Sequence, residues 1–357
     1  MTAPRTMPRA SLIANARAGS VGLLGGGPGD LARRLEARGI AVVRKPRGSI
    51  ARQIERSVED APDIVVVAGG DGSINAAANA HRGTGRPIGI VPLGTMNLLA
   101  RDFGIPLDVD AALDVVARGH TVTVAGAELD GHLFLHSAFV GLPVRIGTHR
   151  EARRGALGIL SKLRLLVHAF RSLTRDPMYL VRAEPARHGI ERGSPATGSL
   201  AATADEGPHD PRGGTATLAR PPALPVDATE GISIPIRGRS VIVMVGEPGD
   251  QLLPVPMREP APDGSLTVIA IRPPTRLAAL RVLFKGIAGT LDDDEDVSIL
   301  HTRSARVISP RRHMHAMLDG EKRLVSGRAR LRAVPDAMVL LADPSRSPAA
   351  AVAPEPR

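Results

Sequence analysis

One pattern, which occurs twice, constrains the fold more than anything else in the sequence. An unbroken aliphatic run ends at a glycine turn, and a helical pattern begins at once. Ile64–Ala68 runs into Gly69-Gly70-Asp71-Gly72, and a helical stretch follows from Ser73 to His81. Ile88–Val91 runs into Pro92-Leu93-Gly94-Thr95-Met96-Asn97, followed by Leu98–Phe103. A strand without polar alternation is buried on both faces, the signature of a parallel sheet covered by helices. The surrounding chain agrees. Ser11–Ala14 and Ile40–Val43 read as further strands, and Leu31–Arg38, Ile50–Asp60 and Asp110–Arg118 as helices. Strands alternating with helices predict a Rossmann-like α/β domain over residues 1–126.

The texture changes near residue 120. Thr121–Ala125, His132–Val140, Ser240–Val245, Leu266–Ile271, Val297–His301, Ala305–Ile308 and Met314–Leu318 have β character. We expect a mainly β domain over 127–342. Residues 184–230 are rich in Pro, Gly, Ala and Thr and lack periodicity, which predicts a disordered insertion. A disordered tail is expected over 343–357.

Composition removes several classes of function. The chain of 357 residues has no cysteine, so a disulfide scaffold, a Cys-ligated zinc site and a thiol nucleophile are excluded. Aromatic residues are only 2%, too few for base-stacking platforms. The net charge is +10, and 42 of the 46 basic residues are Arg once Lys45, Lys162, Lys285 and Lys322 are set aside. Arg grips phosphate as a planar fork, so anionic partners are favoured; an Arg-biased composition without functional meaning has about equal weight. Nucleic acid is disfavoured, because charge alone supports it. No apolar run reaches the length of a membrane span, and Met1–Ala10 lacks an apolar export segment. A cytoplasmic protein is therefore expected.

Both glycine turns carry chemistry. In a doubly wound sheet, ligands bind beyond the carboxyl ends of the strands. There, Gly69, Gly70 and Gly72 allow close backbone approach, and the helix start near Ser73 offers N–H groups to an anion. Asp71 stands where a carboxylate meets a cation or a reacting hydroxyl. In the second turn Gly94, Thr95 and Asn97 supply the same kind of surface. For either turn alone, a tight β–α connection with a capping side chain explains the residues about as well.

Together, Gly69-Gly70-Asp71-Gly72 and Pro92-Leu93-Gly94-Thr95-x-Asn97, with Ala100-Arg101-Asp102-Phe103-Gly104-Ile105-Pro106, resemble the diacylglycerol kinase and sphingosine kinase family, in detail its bacterial lipid kinase branch. Asn15 with Ala18-Gly19-Ser20 is similar to the family's opening Asn-Pro-x-x-Gly loop. Asp263-Gly264 before Leu266 resembles its Asp-Gly-x-Leu strand entry, and Asp319-Gly320-Glu321 its Asp-Gly-Glu motif. The resemblance implies an α/β nucleotide-binding domain followed by a β-sandwich domain, with the site in the cleft between them. It implies ATP with Mg²⁺, and a lipid alcohol such as a diacylglycerol or a sphingoid base as acceptor. Asn15, Gly69, Gly70, Gly72, Ser73, Gly94, Thr95 and Asn97 then hold the nucleotide, and Asp71 and Glu321 hold the metal. Asp319 is the first candidate for general base, with Asp71 second and Glu321 completing the catalytic set. The pattern departs at Leu98, Ala125 and Val245-Gly246-Glu247-Pro248, where auxiliary acidic or amide groups are replaced.

The alternatives are a kinase of nucleotide cofactors such as NAD, whose enzymes share Gly-Gly-Asp-Gly loops, and a non-catalytic relative that binds nucleotide or lipid. The residues following Asn97 argue against the first. Gly155–Thr174 reads as a basic amphipathic helix, suited slightly better to domain packing with a solvated basic face than to peripheral contact with the anionic inner face of a membrane, and both can hold. A homodimer stays open. Leu291–Asp296 reads as a solvated acidic loop, and His313 and His315 as residues alternating on a strand rather than metal ligands.

Overall fold

A computed structural model describes residues 7–15, 27–141, 178–185, 234–248, 258–259, 264–288, 290 and 294–346. The expected helix at Gly155–Thr174, residues 186–230 of the insertion and residues 347–357 lie outside these. The first half runs β1 (Arg9–Ala14), α1 (Gly27–Glu36), β2 (Ala41–Arg44), α2 (Ile50–Glu59), β3 (Ile64–Gly69), α3 (Asp71–Ala80), β4 (Pro87–Pro92), α4 (Leu98–Asp102) and α5 (Val109–Arg118). Strands β1 to β4 are parallel, in the spatial order β4-β3-β1-β2. Val65, Val67, Ile88 and Ile90 pack on one face of this sheet against Ile74, Ala77 and Phe103. Leu12, Val66, Ala68 and Val91 pack on the other against Leu31, Leu35 and Leu113. This double burial is why the strands carry no polar alternation. Local chemistry sets the helix ends. Ser49 and Asp108 cap α2 and α5, and Gly119 closes α5 in the left-handed region at φ 71°.

The second half is β-rich: β5 (Thr121–Leu129), β6 (His132–Phe134), β7 (Ser137–Val140), β8 (Tyr179–Pro185), β9 (Ile234–Gly238), β10 (Ser240–Val245), β11 (Glu247–Pro248), β12 (Arg258–Glu259), β13 (Leu266–Ile271), α6 (Arg276–Ala288), β14 (Val297–Leu318) and β15 (Glu321–Leu341). Its core gathers Phe134, Val140, Val243, Val268, Val307, Met314 and Leu331. The expected fold class, α/β followed by β, is the one observed.

Two long strands organise the molecule. The expected strands Val297–His301, Ala305–Ile308 and Met314–Leu318 are one strand, β14, with an irregular register between Ile308 and His313. Its partner β15 starts at the Asp319-Gly320 turn, pairs with β14 and β5, and ends beside β4, where Val339 and Leu340 pair in parallel with Pro87 and Ile88. Val334, Ala337, Met338 and Leu340 accordingly join the core of the first half. β15 physically links the Asp-Gly-Glu turn to the sheet that carries the Gly-Gly-Asp-Gly turn.

Two expectations need correction. The acidic segment is not simply solvated. Asp294 is 1% exposed and meets Arg281 Nε at 2.9 Å and Lys285 Nζ at 3.4 Å, while Asp296 meets Arg281 at 2.7 Å. The cations come from α6, a neighbour that charge patterning within the acidic run does not reveal. The tail also begins with structure, a 3₁₀ turn at Pro344–Arg346 fastened by Asp343 Oδ1, which accepts from the Ser345 N–H and hydroxyl.

Candidate active site

The two glycine turns touch. β3 and β4 pair up to Gly69 and Pro92, and the Leu93 N–H donates to the Gly69 carbonyl at 2.9 Å. A Cβ on Gly94 would stand 2.5 Å from Gly70 Cα and 2.7 Å from Asn97 Oδ1, so the close approach of the loops excludes any side chain there. Asn97 sits in the left-handed region at φ 49°, which Asn tolerates well. Its Oδ1 accepts from Gly94 N at 2.9 Å and its Nδ2 donates to the Gly94 carbonyl at 2.8 Å. The expected nucleotide ligand thus spends its amide on locking the turn. Thr95, beside it, is exposed.

The Gly-Gly-Asp-Gly turn opens directly into α3, with Gly70 as extended N-cap residue. Gly72 and Gly70 stand at the end where helix N–H groups precede the first intrahelical bonds. The Ser73 N–H, expected to face an anion, instead closes the first turn by donating to the Gly70 carbonyl at 2.9 Å. Its hydroxyl accepts from Asn15 Nδ2 at 3.3 Å, which ties the end of β1 to the start of α3. A Cβ on Gly69 would come within 2.9 Å of the Ser73 side chain, so the Ser73 side chain fills the space that a larger residue at 69 would need.

Asp71 is half-buried and faces the second loop, accepting from the Leu99 N–H at 3.4 Å. Burial pushes its carboxyl above the ordinary range; the negative charge of Asp319 adds to this, and the N–H groups of Leu99 and Leu98 oppose it. Asp319 and Gly320 have φ of 47° and 87°, the pattern of a two-residue type I′ hairpin, and Leu318 pairs with Glu321 across it. The Asp319 carboxylate is enclosed. Oδ2 accepts from Leu135 N at 2.6 Å and Asn75 Nδ2 at 2.8 Å, and Oδ1 from His136 N and Ser137 N, each at 2.9 Å. Burial raises its pKa, against the opposing pull of those four donors. Asn75 belongs to α3 and also donates to the Leu133 carbonyl at 3.2 Å, so Asp319 is anchored to both halves of the molecule.

Glu321 follows the turn and is exposed. Its Oε1 lies 2.8 Å from where a Cβ on Gly72 would stand, so the carboxylate hangs over the first turn of α3. Asp71, Asp319 and Glu321 therefore meet at one place, although 248 residues separate the first two. Sequence reasoning missed Asn75 and the 135–137 backbone, which hold Asp319. The only hint was the position of Asn75 one helical turn after Asp71.

The site's fit to Mg²⁺ follows from its donors. Among the described residues no Lys or Arg forms an ion pair with Asp71, Asp319 or Glu321, and no group of three side chains forms a ready-made metal cage. Leu98 opens α4 and Ala125 lies within β5, so neither position adds a carboxylate. One or two carboxylates, completed by phosphate oxygens and water, are what Mg²⁺ ordinarily takes from a phosphate-transfer site. The oxygen-only pair Asp71 and Glu321 fits that description.

Residues 9–129 match the family model for the diacylglycerol kinase catalytic domain. This stretch, about a third of the chain, is similar to diacylglycerol kinase catalytic domains. The domain covers both glycine turns and ends at β5. A probable lipid kinase, YegS-like, from Pectobacterium atrosepticum is 37% identical over 120 residues, 32% of this chain and 40% of that protein. A diacylglycerol kinase from Staphylococcus saprophyticus is 31% identical over 117 residues, 31% of this chain and 38% of that protein. The chain thus spans about two fifths of the length of the curated relatives it matches. Solved structures of a Bacillus anthracis protein described as a diacylglycerol kinase superpose with TM-scores of 0.58–0.63 at 14–16% identity, covering 96% of this chain and 98–99% of theirs. That likeness extends the shared fold through the β-rich half.

Proposed function

We propose that this protein transfers the γ-phosphate of ATP to the hydroxyl of a membrane lipid, with a diacylglycerol-like or sphingoid-like alcohol as acceptor. The observation that carries the reading is the meeting of Glu321 with the first turn of α3, across 249 residues of sequence. Phosphoryl transfer is mostly positioning and charge neutralisation. The N-terminal turn of α3 at Gly70 and Gly72, with Thr95 on the neighbouring loop, offers the phosphates a backbone cradle; Asn15 and Gly69 shape its rim. Asp71 would hold a magnesium ion, which when bound neutralises charge building up on the phosphates, and this leaves the Glu321 carboxylate free for the acceptor.

The proton of the acceptor hydroxyl needs a base within hydrogen-bond reach. Asp319 has both carboxylate oxygens committed, two donors to each, so accepting a further proton costs it an existing bond. We therefore assign the acceptor side to Glu321, whose carboxylate is open, and give Asp319 the part of fixing the turn that aims it. Asn97 and Ser73 belong to the scaffold of the cradle. Among the described residues no helix is long and apolar enough to cross a membrane, and contact with the bilayer from its cytoplasmic side is the companion proposal.

The test is incubation of the purified chain with γ-labelled ATP, Mg²⁺ and a panel of lipid alcohols in mixed micelles, with product identified by mass spectrometry. A phosphorylated lipid is the expected result. Label in NADP, with NAD as acceptor, would replace this reading by cofactor phosphorylation, and nucleotide binding without any product would make the chain a binding relative.

A further inference from the structure

Helix α2 turns an amphipathic stripe toward the sheet, and that stripe is partly polar. Ile54 joins the core, and Gln53 and Ser57 are buried beside it. An aliphatic residue at 53 would fill the same space without the cost of taking an amide out of water. Gln53 is 7% exposed, and three hydrogen bonds hold its amide. Its Oε1 accepts from the Ala14 N–H at 2.8 Å. Its Nε2 donates to the Ala14 carbonyl at 3.2 Å and to the Gly48 carbonyl at 3.1 Å.

The shape of the sheet explains why an amide stands there. The N–H and C=O of one strand residue point the same way, and those of the next point the other way. Asn15, just past the end of β1, donates to the Ala68 carbonyl of β3 at 2.9 Å, so Ala14 presents its peptide groups on the opposite side, toward β2. β2 has already ended. Its last pairing with β1 is Arg44 with Ser11, and the chain leaves through Lys45 and Pro46, the second of which has no N–H to give. A buried peptide group without a partner is costly. The Gln53 amide carries the same donor and acceptor as a peptide, and it fills the missing place in the ladder.

What this clamp holds is a corner of the phosphate cradle. Asn15 follows Ala14 directly, and its Nδ2 donates to Ser73 Oγ at 3.3 Å at the start of α3. Gly48 belongs to the loop between β2 and α2, which carries Lys45 and Arg47, both exposed. Because β1, β2 and β3 are parallel, Asn15, this loop and the Gly-Gly-Asp-Gly turn lie at one edge, the carboxyl edge where a doubly wound sheet takes its ligand.

We propose that Gln53 is a positioning residue for the nucleotide: it fixes the end of β1, so that Asn15 keeps its place beside the first turn of α3. The proposal rests on the ATP-dependent kinase reading and adds to it a residue that touches neither phosphate nor acceptor. Asp319 and Glu321 stand at the turn between β14 and β15, to which none of the three Gln53 bonds leads. Loosening the clamp therefore weakens nucleotide binding and leaves the chemical step alone.

The experiment measures ATP affinity by calorimetry with Mg²⁺, together with kcat and the KM for ATP and for a short-chain diacylglycerol in detergent micelles. It compares the full chain with three variants. Gln53→Met keeps the length of the side chain and removes all three bonds. Gln53→Glu keeps the acceptor for the Ala14 N–H and removes both donors. Ser57→Ala removes buried bonds of the same helix, to His81 and to the Ile54 carbonyl, and controls for lost stability. In Gln53→Met the Kd and KM for ATP should rise about tenfold, the worth of one ordinary hydrogen bond, with kcat and the lipid KM within about threefold of wild type. Gln53→Glu should show the same split, and Ser57→Ala should bind ATP as wild type does despite a lower melting temperature. A purely structural role would not separate KM from kcat in this way. Wild-type ATP affinity in both Gln53 variants, an equal loss of affinity in Ser57→Ala, or a fall in kcat at unchanged KM for ATP would overturn the proposal. Should Gln53→Met fail to fold, Gln53→Glu decides by itself. A wild-type chain that binds ATP and phosphorylates no lipid sinks the kinase reading, and the affinities still decide the role of Gln53. Lipid turnover with an ATP affinity indifferent to Gln53 does the reverse.

Discussion

Two clusters of acids in this molecule are built from the same residue types and neutralised in opposite ways. At Asp294–Asp296 the carboxylates meet Arg281 and Lys285 of α6, and charge is matched by charge. At the other cluster, Asp71 and Asp319 are held by backbone N–H groups and the Asn75 amide, and Glu321 stands exposed beside them. Those partners fix the geometry without cancelling the negative charge. The first arrangement is complete as it stands. The second leaves net negative charge beside a helix N-terminus, the condition for recruiting a cation together with phosphate.

If that contrast is right, neutralising a cleft acid costs catalysis and neutralising a paired acid costs stability. The largest effect is expected at Asp71. Asp71→Asn keeps an acceptor for the Leu99 N–H but loses the charge, so turnover should fall about 10²–10³-fold with the melting transition nearly in place. Unchanged turnover would remove Asp71 from the site. Gly72→Ala comes next. Its Cβ would meet Glu321 Oε1 at 2.8 Å, the far end of a flexible side chain, which can swing aside. Displacing a catalytic group by even 1 Å costs up to 10²-fold, so a loss of about 10- to 100-fold in a folded protein is expected. Full activity would mean that the position of Glu321 over α3 is irrelevant.

Asp319→Ala strips an acceptor from three backbone N–H groups and the Asn75 amide. Each buried donor left alone costs about 1–3 kcal/mol, so urea unfolding should report at least about 3 kcal/mol lost. Stability within error of wild type would contradict the anchoring role. Asp294→Ala removes the acceptor of the Asp296 N–H and a partner of Arg281 and Lys285. It should cost about 1–3 kcal/mol, with turnover per folded molecule unchanged.

The smallest effect concerns pH. Burial raises the carboxyls of Asp71 and Asp319 in the folded state, so the native chain takes up their protons first as pH falls. They favour folding on the acid side and weigh against it once pH rises through their folded pKa. Asp60 behaves oppositely: its hydrogen bonds to Arg44 lower it, so its stabilisation is present above the usual aspartate range and fades on acidification. Asp71→Asn should therefore make stability fall more steeply on acidification, and Asp60→Asn less steeply, in unfolding curves taken from pH 7 to pH 3. The same sign of change in both variants would contradict the comparison.

The legible parts of this molecule are those whose chemistry is local in sequence. β3 and β4 announce themselves because double burial removes every polar residue, and the turns after them because only glycine permits the approach of Gly70 to Gly94. β15 is not legible in the sequence. Its run from Glu321 to Leu341 alternates Arg and Lys with small residues and includes Gly327 and Pro335, which mask strand character. What identifies it as a strand is pairing with β14, β5 and β4, all distant in sequence. The same limit applies to Asp319. Its motif marks it as important, but its four hydrogen-bond donors come from residues 75 and 135–137 and cannot be read from its neighbours. Asp294 reads as a solvated acid in the sequence for the same reason, its cations lying on α6.

The most direct test of the central claim is a paired measurement on Glu321→Gln: ATP affinity by calorimetry, and the rate of lipid phosphorylation at saturating ATP and Mg²⁺. Glu321 is exposed and the substitution keeps its shape, so folding should be unaffected. The account predicts turnover lower by about 10²–10⁴-fold, the usual cost of losing a general base, with ATP affinity changed by less than about tenfold. Turnover at the wild-type rate would contradict it and return the acceptor side of the cleft to Asp319 or Asp71.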